Sequence, residues 1–217
     1  MAINKVVYQR IKESINGKAI LVAVSKIKPA SDILDLYNLG QIDFGENYVQ
    51  ELVDKYNQLP KDIQWHFIGH LQSNKVKYIA PFVHLIHGVD SFKLLQEINK
   101  QALKNNRVIR CLLQVHIAEE ETKFGFDTHE ILAINWTEIN DLKGIEVVGL
   151  MGMASFSDDL EQVRNEFISL NTAFKQVQIQ HSSCKILSMG MSGDFEMAIE
   201  EGSNMVRIGS LLFGSRQ

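Results

Sequence analysis

A closed (β/α)8 TIM barrel preceded by one helix is the α/β fold that this 217-residue sequence predicts. Three observations carry the prediction. Short apolar runs alternate eight times with longer amphipathic segments, the pattern of parallel strands joined by right-handed helical crossovers. Dividing the chain by eight leaves roughly 27 residues per unit, which suits a compact barrel. Neither a proline- or serine-rich linker nor a low-complexity tract marks a boundary, so residues 1–217 read as one domain. An open doubly wound sheet shares the alternation and is the rival architecture.

The elements follow in order. Ile3, Val7, Ile11 and Ile15 recur at four-residue spacing, an amphipathic helix closed by Gly17. "AILVAVS" is a strand apolar enough to be covered on both faces, and "SDILDLYNL" is a helix started by Pro29 and Ser31 and stopped by Gly40. "QIDFG" and "IQWHFIG" are strands two and three, separated by the helix "NYVQELVDKYNQL" and followed by one opening near Ser73. "VHLIHGV" is the fourth strand, and Asp90 or Ser91 caps the helix "FKLLQEINKQALKNN" after it. "VIRCLLQVHI" precedes a helix over "THEILAINWTEIN". "IEVVGLMGM" precedes the clearest helix of all, with Leu160, Val163, Phe167, Leu170, Phe174 and Val177 in three- and four-residue steps. "KILSMGMS", the short helix "DFEMAIEEG" and the strand "NMVRIGS" complete the set, and only "LLFGSRQ" follows.

Composition narrows the function classes. Apolar residues make up 45% and charged residues 22%, ordinary for a globular chain that buries a core without staples. A net charge of −4 gives no footprint for nucleic acid or a membrane surface. Cys111 and Cys184 sit inside apolar runs and read as small buried hydrophobes in a reducing compartment. Neither a secretory leader nor a membrane-spanning run is visible, so a soluble, cytoplasmic protein is expected.

In a barrel the strand ends carry the chemistry. Lys26 follows Ser25 at the end of a wholly apolar strand; a single strand-end lysine reads first as a solvated charge, and partial desolvation there would lower its pKa and leave a nucleophilic amine. "GMSGD" (Gly190 to Asp194) joins strand seven to a helix start, where free N–H groups attract anions. "RIGS" (Arg207 to Ser210) ends strand eight on a glycine that lets a ligand approach backbone. Each alone reads equally as a helix cap or a turn. Together they occupy the two positions where barrels bind phosphate. A nucleophile elbow fails, because Asp194 replaces the second glycine of G-x-S-x-G. The pairs His66/His70 and His84/His87 span strands, where such spacing does not bring side chains together, so no metal is expected. An amine and a phosphate cradle in one pocket meet the requirements of a pyridoxal 5′-phosphate (PLP) Schiff base.

The motifs "AVSKIKP", "FGENYVQE", "WHFIGHLQSNK", "GLMGMA" and "LSMGMSGDFEMAIEEGSNMVRIGSLLFG" together resemble the YggS/PROSC-type PLP homeostasis family, from about Leu21 to Gly214. The resemblance implies a barrel similar to the N-terminal domain of alanine racemase, with PLP as cofactor. By it, Lys26 carries the imine and Asn47 lies beside the cofactor. Ser192, Gly209 and Ser210 hold the phosphate, Arg207 faces the pyridine nitrogen, and His66 and Met151 line the pocket. The chain reads Arg-Ile-Gly where the racemases read Arg-Pro-Gly. A guanidinium beside that nitrogen disfavours its protonation and weakens PLP as an electron sink. A two-base racemase also needs an acid/base on each face of the substrate carbon, one of them supplied in alanine racemase by a β-domain after the barrel, for which "LLFGSRQ" leaves no room. The expectation is a non-enzymatic PLP carrier serving vitamin B6 balance, with no catalytic residues and with PLP-dependent apo-enzymes as partners. A minimal amino-acid racemase is the alternative. Lys28 and Lys123 read as surface charges.

Overall fold

The structure, a computed structural model, describes residues 4–118 and 124–214; Lys123 lies outside them. Eight parallel strands close in sequence order, with β1 pairing both β2 and β8. The strands are β1 (Ile20–Val24), β2 (Asp43–Glu46), β3 (Gln64–Phe67), β4 (Leu85–Val89), β5 (Ile109–Val115), β6 (Ile145–Gly152), β7 (Ile186–Ser188) and β8 (Met205–Ile208). Closure decides between the two architectures in favour of the barrel.

Around the strands run α1 (Lys5–Ile15), α2 (Ala30–Tyr37), α3 (Val49–Gln58), a single 3-10 turn at Ser73–Lys75 leading into α4 (Val76–Ile79), and α5 (Phe92–Lys104). They continue with α6 (Thr128–Leu132), α7 (Trp136–Asn140), α8 (Leu160–Gln180), α9 (Phe195–Glu200) and α10 (Ser210–Phe213). α1 starts on the Asn4 side chain and ends on Asn16 in the left-handed conformation, one residue before the expected Gly17.

Strand alternation sorts the core into two. Leu21, Ala23, Ile86, Cys111, Leu113, Leu187 and Val206 face the helices in one large cluster, with Trp65, Phe44 and Phe167 fully buried. Their neighbours Val22, Leu85, Leu112, Val148, Ile186 and Met205 fill the barrel interior. Each buried large side chain contributes about 1.5–3 kcal/mol, so the outer cluster dominates stability.

Three expectations need correction. "THEILAINWTEIN" forms two helices, because Asn135 accepts the Thr137 N–H and starts α7 afresh. Leu160, the first residue of α8, is exposed, and the buried stripe of the helix begins at Val163. The segment after β8 forms α10, whose end is tied by Lys28 Nζ donating to the Phe213 carbonyl at 2.8 Å, so Lys28 is an anchor as well as a surface charge.

A bulge in β6 positions part of the site. Cys111 pairs with Val147 and Leu112 with Gly149, leaving Val148 as the extra residue. The bulge reverses which side chains of β6 face inward beyond it. Only glycine fits there, because a Cβ on Gly149 would lie 1.8 Å from the Ile186 carbonyl oxygen.

Candidate functional site

A cavity of about 480 Å³ opens at the C-terminal end of the barrel. Lys26 and Asn47 line it on the β1–β2 side; Ser192, Gly209 and Ser210 line it on the β7–β8 side, with Arg207 between them. Six of the eight predicted site residues therefore share one cavity. His66 and Met151 do not line it. Each lies on the inward face but one step too deep, and the residue two further along its strand, Ile68 or Met153, takes the wall position.

Lys26 is set by a strained turn. The Lys28 N–H donates to the Ser25 carbonyl at 3.0 Å, closing a turn in which Ile27 has φ 62°. A β-branched residue in that region is costly, about 1–2 kcal/mol, and needs support from its surroundings. Support comes from Glu51 on α3, whose carboxylate accepts the Ile27 N–H at 2.6 Å.

Beneath the turn lies a buried ionic cluster. Lys55 Nζ donates at 2.7 Å to Glu46, to Glu51 and to the Ser25 carbonyl. Ser25 Oγ donates to the same Glu46 oxygen at 2.6 Å, while the other Glu46 oxygen is buried without a partner among the described residues. Burial pushes the Glu46 carboxyl up to about 7, against the pull of Lys55 and Ser25. Sequence reading missed Glu46 and Lys55, because a lysine in a helical run reads as a solvated charge. The one signal was a glutamate inside an otherwise apolar strand end.

The opposite wall is made of loops. Ser192 Oγ accepts the Gly209 N–H at 3.3 Å and joins the β7 and β8 loops. The Asp194 carboxylate turns back onto the Met191 N–H at 2.5 Å, rather than capping α9. Gly190 is in the left-handed region at φ 95° with the Ala198 methyl beside it, so a side chain has neither the conformation nor the room.

Arg207 is buried. It donates to the Ser188 carbonyl (2.9 Å) and hydroxyl (2.6 Å) and to the Gly152 carbonyl (3.0 Å). Desolvation lowers its pKa to about 10, which leaves it cationic at neutral pH.

These groups fit PLP. The lining supplies the Lys26 amine for the aldehyde, a hydroxyl and loop N–H groups for the phosphate, and a guanidinium for the ring nitrogen. Asn47 adds a buried amide oxygen without a partner among the described residues, as expected of a group that awaits a ligand.

Residues 7–217 match the family model described as alanine racemase, N-terminal domain. A pyridoxal phosphate homeostasis protein of Aquifex aeolicus is 43% identical over 201 residues, covering 92% of this chain and 88% of that one. The human protein of the same name is 40% identical over 210 residues, covering 90% and 76%. The chain belongs to the pyridoxal phosphate homeostasis branch of the alanine racemase N-terminal domain family. Among solved structures, PipY of Synechococcus elongatus without PLP superposes with a TM-score of 0.91 at 32% identity, over 96% of this chain and 99% of that one. PipY with PLP bound gives 0.87 at 31% identity and the same coverage. An alanine racemase of Streptomyces coelicolor gives 0.79 at 13% identity, over 97% of this chain and 57% of that one, and shares the fold. Among the described residues of this PLP homeostasis family member, no helix is long and apolar enough to cross a membrane.

Proposed function

We propose that residues 1–217 act as one barrel that holds PLP reversibly as a Schiff base on Lys26 and serves PLP (vitamin B6) balance in the cell without turning over a substrate. The observation that carries this reading is the cavity itself, whose lining brings Lys26 together with Ser192, Gly209, Ser210 and Arg207. The names of the relatives and the PLP-bound PipY structure support it.

Each residue has one task. Lys26 supplies the amine that condenses with the aldehyde. Ser192 and the N–H groups of Gly209 and Ser210 hold the phosphate, Asn47 offers its amide to the polar edge of the ring, and Arg207 keeps a positive charge at the ring nitrogen. When bound, PLP supplies an electron sink, and Arg207 weakens it by opposing protonation of that nitrogen. Binding without turnover follows. PLP-dependent apo-enzymes are the recipients that this role implies. Two free, buried thiols suit a reducing cytoplasm; burial holds Cys184 up at about 12 and Cys111 higher still.

The test is spectroscopic. Purified protein mixed with PLP turns yellow, borohydride fixes the adduct, and peptide mapping finds it on Lys26; Lys26→Ala abolishes the colour. A protein that stays colourless overturns the reading. The second reading, a slow amino-acid racemase, rests on the barrel shared with alanine racemases. Racemisation lost in Lys26→Ala would establish it.

A further inference from the structure

A line of polar side chains crosses the barrel interior beneath the cavity, and the function above does not use it. Arg207 meets Ser188 Oγ at 2.6 Å, and Ser188 Oγ meets His87 Nδ1 at 3.2 Å. His87 Nε2 meets His66 Nδ1 at 2.9 Å, and His66 Nε2 meets Asp43 Oδ1 at 2.9 Å. Ser188, His87 and His66 are fully buried, whereas Asp43, at the N-terminal end of β2, reaches solvent at the far mouth.

With one proton on each imidazole, the chemistry of the two ends fixes the direction of every link. A guanidinium has no acceptor, so Arg207 donates to Ser188. Asp43 as a carboxylate has only acceptors, so His66 carries its proton on Nε2 and donates to it, which leaves His66 Nδ1 bare. His87 then carries its proton on Nε2 and donates to His66, which leaves His87 Nδ1 bare to accept the Ser188 hydrogen. Four links are satisfied by four hydrogens. An extra proton on His66 Nδ1 would face the His87 Nε2–H, and one on His87 Nδ1 would turn the Ser188 hydrogen away.

We propose that Ser188, His87, His66 and Asp43 form a one-way hydrogen-bond chain that positions Arg207 in the cavity, with both histidines held as neutral Nε2–H tautomers. None of the four touches the cavity, so they are positioning residues acting through Arg207. The surroundings agree. Burial drives the His87 pKa well down, and the Arg207 charge pushes the same way. The His84 ring lies tilted against His66 at 5.4 Å between ring centres; burial, with the charges of Arg110 and Arg107, outweighs Asp43 and lowers its pKa to about 4. At the other end Asp194 is the acidic group that acts on Arg207. Serine suits the junction because its hydroxyl can accept from Arg207 and donate to His87 together.

The chain does not depend on PLP, although its consequence for the cofactor rests on the function proposed above. The first experiment therefore uses the whole protein without PLP. Nitrogen-15 NMR of labelled histidine and arginine is expected to show His66 and His87 as neutral Nε2–H tautomers at neutral pH, and the Arg207 guanidinium protons as separate, slowly exchanging signals. An imidazolium at either histidine, or an Nδ1–H tautomer at His87, overturns the proposal.

The second experiment compares two variants for PLP affinity and for the Arg207 signals. His87→Leu removes the acceptor that orients Ser188; averaged Arg207 signals and affinity about tenfold weaker are expected, the scale of one lost hydrogen bond to a charged group. His87→Asn supplies a side-chain oxygen where Nδ1 was and is expected to recover most of both. Equal affinity and equal Arg207 signals in the two variants would refute the positioning role, even with the yellow Lys26 adduct intact. A colourless protein with the expected tautomers would instead remove the PLP reading and leave the chain standing.

Discussion

Beside Lys26 the cavity wall rests on a buried ionic cluster, whereas beside Ser192 it is loop backbone and a hydroxyl, with the Asp194 carboxylate turned back onto the Met191 N–H. The first side holds Glu46, Lys55 and Glu51 in contact under a strained turn. The second places Ser192 on the Gly209 N–H and leaves no ionised group between them. An amine that must react reversibly needs its position and protonation governed by neighbours, and neighbours that titrate carry that control. A phosphate dianion needs only N–H and O–H donors, which do not titrate in the working range. The site thus divides a half built on an ionic cluster from a half whose phosphate donors do not titrate.

The largest break in that contrast comes from Lys55→Met. It strands Glu46 and Glu51 without their cation and is expected to destabilise the fold by about 3 kcal/mol at pH 8, measured by urea denaturation. The loss shrinks towards pH 5, where Glu46 takes a proton. A loss that is equal at both values would show that Lys55 acts only through packing.

Glu46 gives the next effect. Its carboxyl moves from 4.5 to about 7 on folding. Below about pH 4.5 it is neutral in both states and its contribution is fully present. As the pH rises towards 7 the unfolded chain ionises it while the fold retains the proton, so stability falls, by at most ~1.4 kcal/mol per pH unit. Glu46→Gln flattens this decline. Ser192→Ala, on the other wall, keeps the wild-type slope, and a changed slope there would erase the division between the halves.

The smallest effect sharpens the comparison. Ile27→Gly relieves the left-handed turn at an exposed position and is expected to gain about 1 kcal/mol in thermal denaturation. A loss in its place would mean that the Ile27 side chain contributes packing that outweighs the strain.

The barrel was legible because each strand is a short apolar run with a helix behind it, and strand ends could be read one by one. Lys26, Asn47, Ser192, Arg207, Gly209 and Ser210 all fell at such ends. The depth of the wall was harder to read. Ile68 and Met153 replaced His66 and Met151 because inward positions recur every two residues, and the bulge at Val148 shifts β6 without any signal but Gly149. The ionic cluster and the histidine line were invisible for another reason. Most of their partners lie on different elements, as Ser25 and Glu46, His66 and His87, or His87 and Ser188 do, and spacing within one segment carries no information about a contact that only folding creates.

Arg207 has a wider consequence for the family's chemistry. β7 and β8 share one paired position, Ser188 with Met205, and the Arg207 side chain spans from β8 to carbonyls on both β7 and β6. The same group rivets the weakest seam of the wall. A carboxylate in its place, the substitution that would make bound PLP a strong electron sink, would face two carbonyl oxygens and unfasten that seam. On the reading proposed here, one side chain both fastens the wall and damps the ring, so a substitution that altered the chemistry of bound PLP would loosen the barrel at the same time.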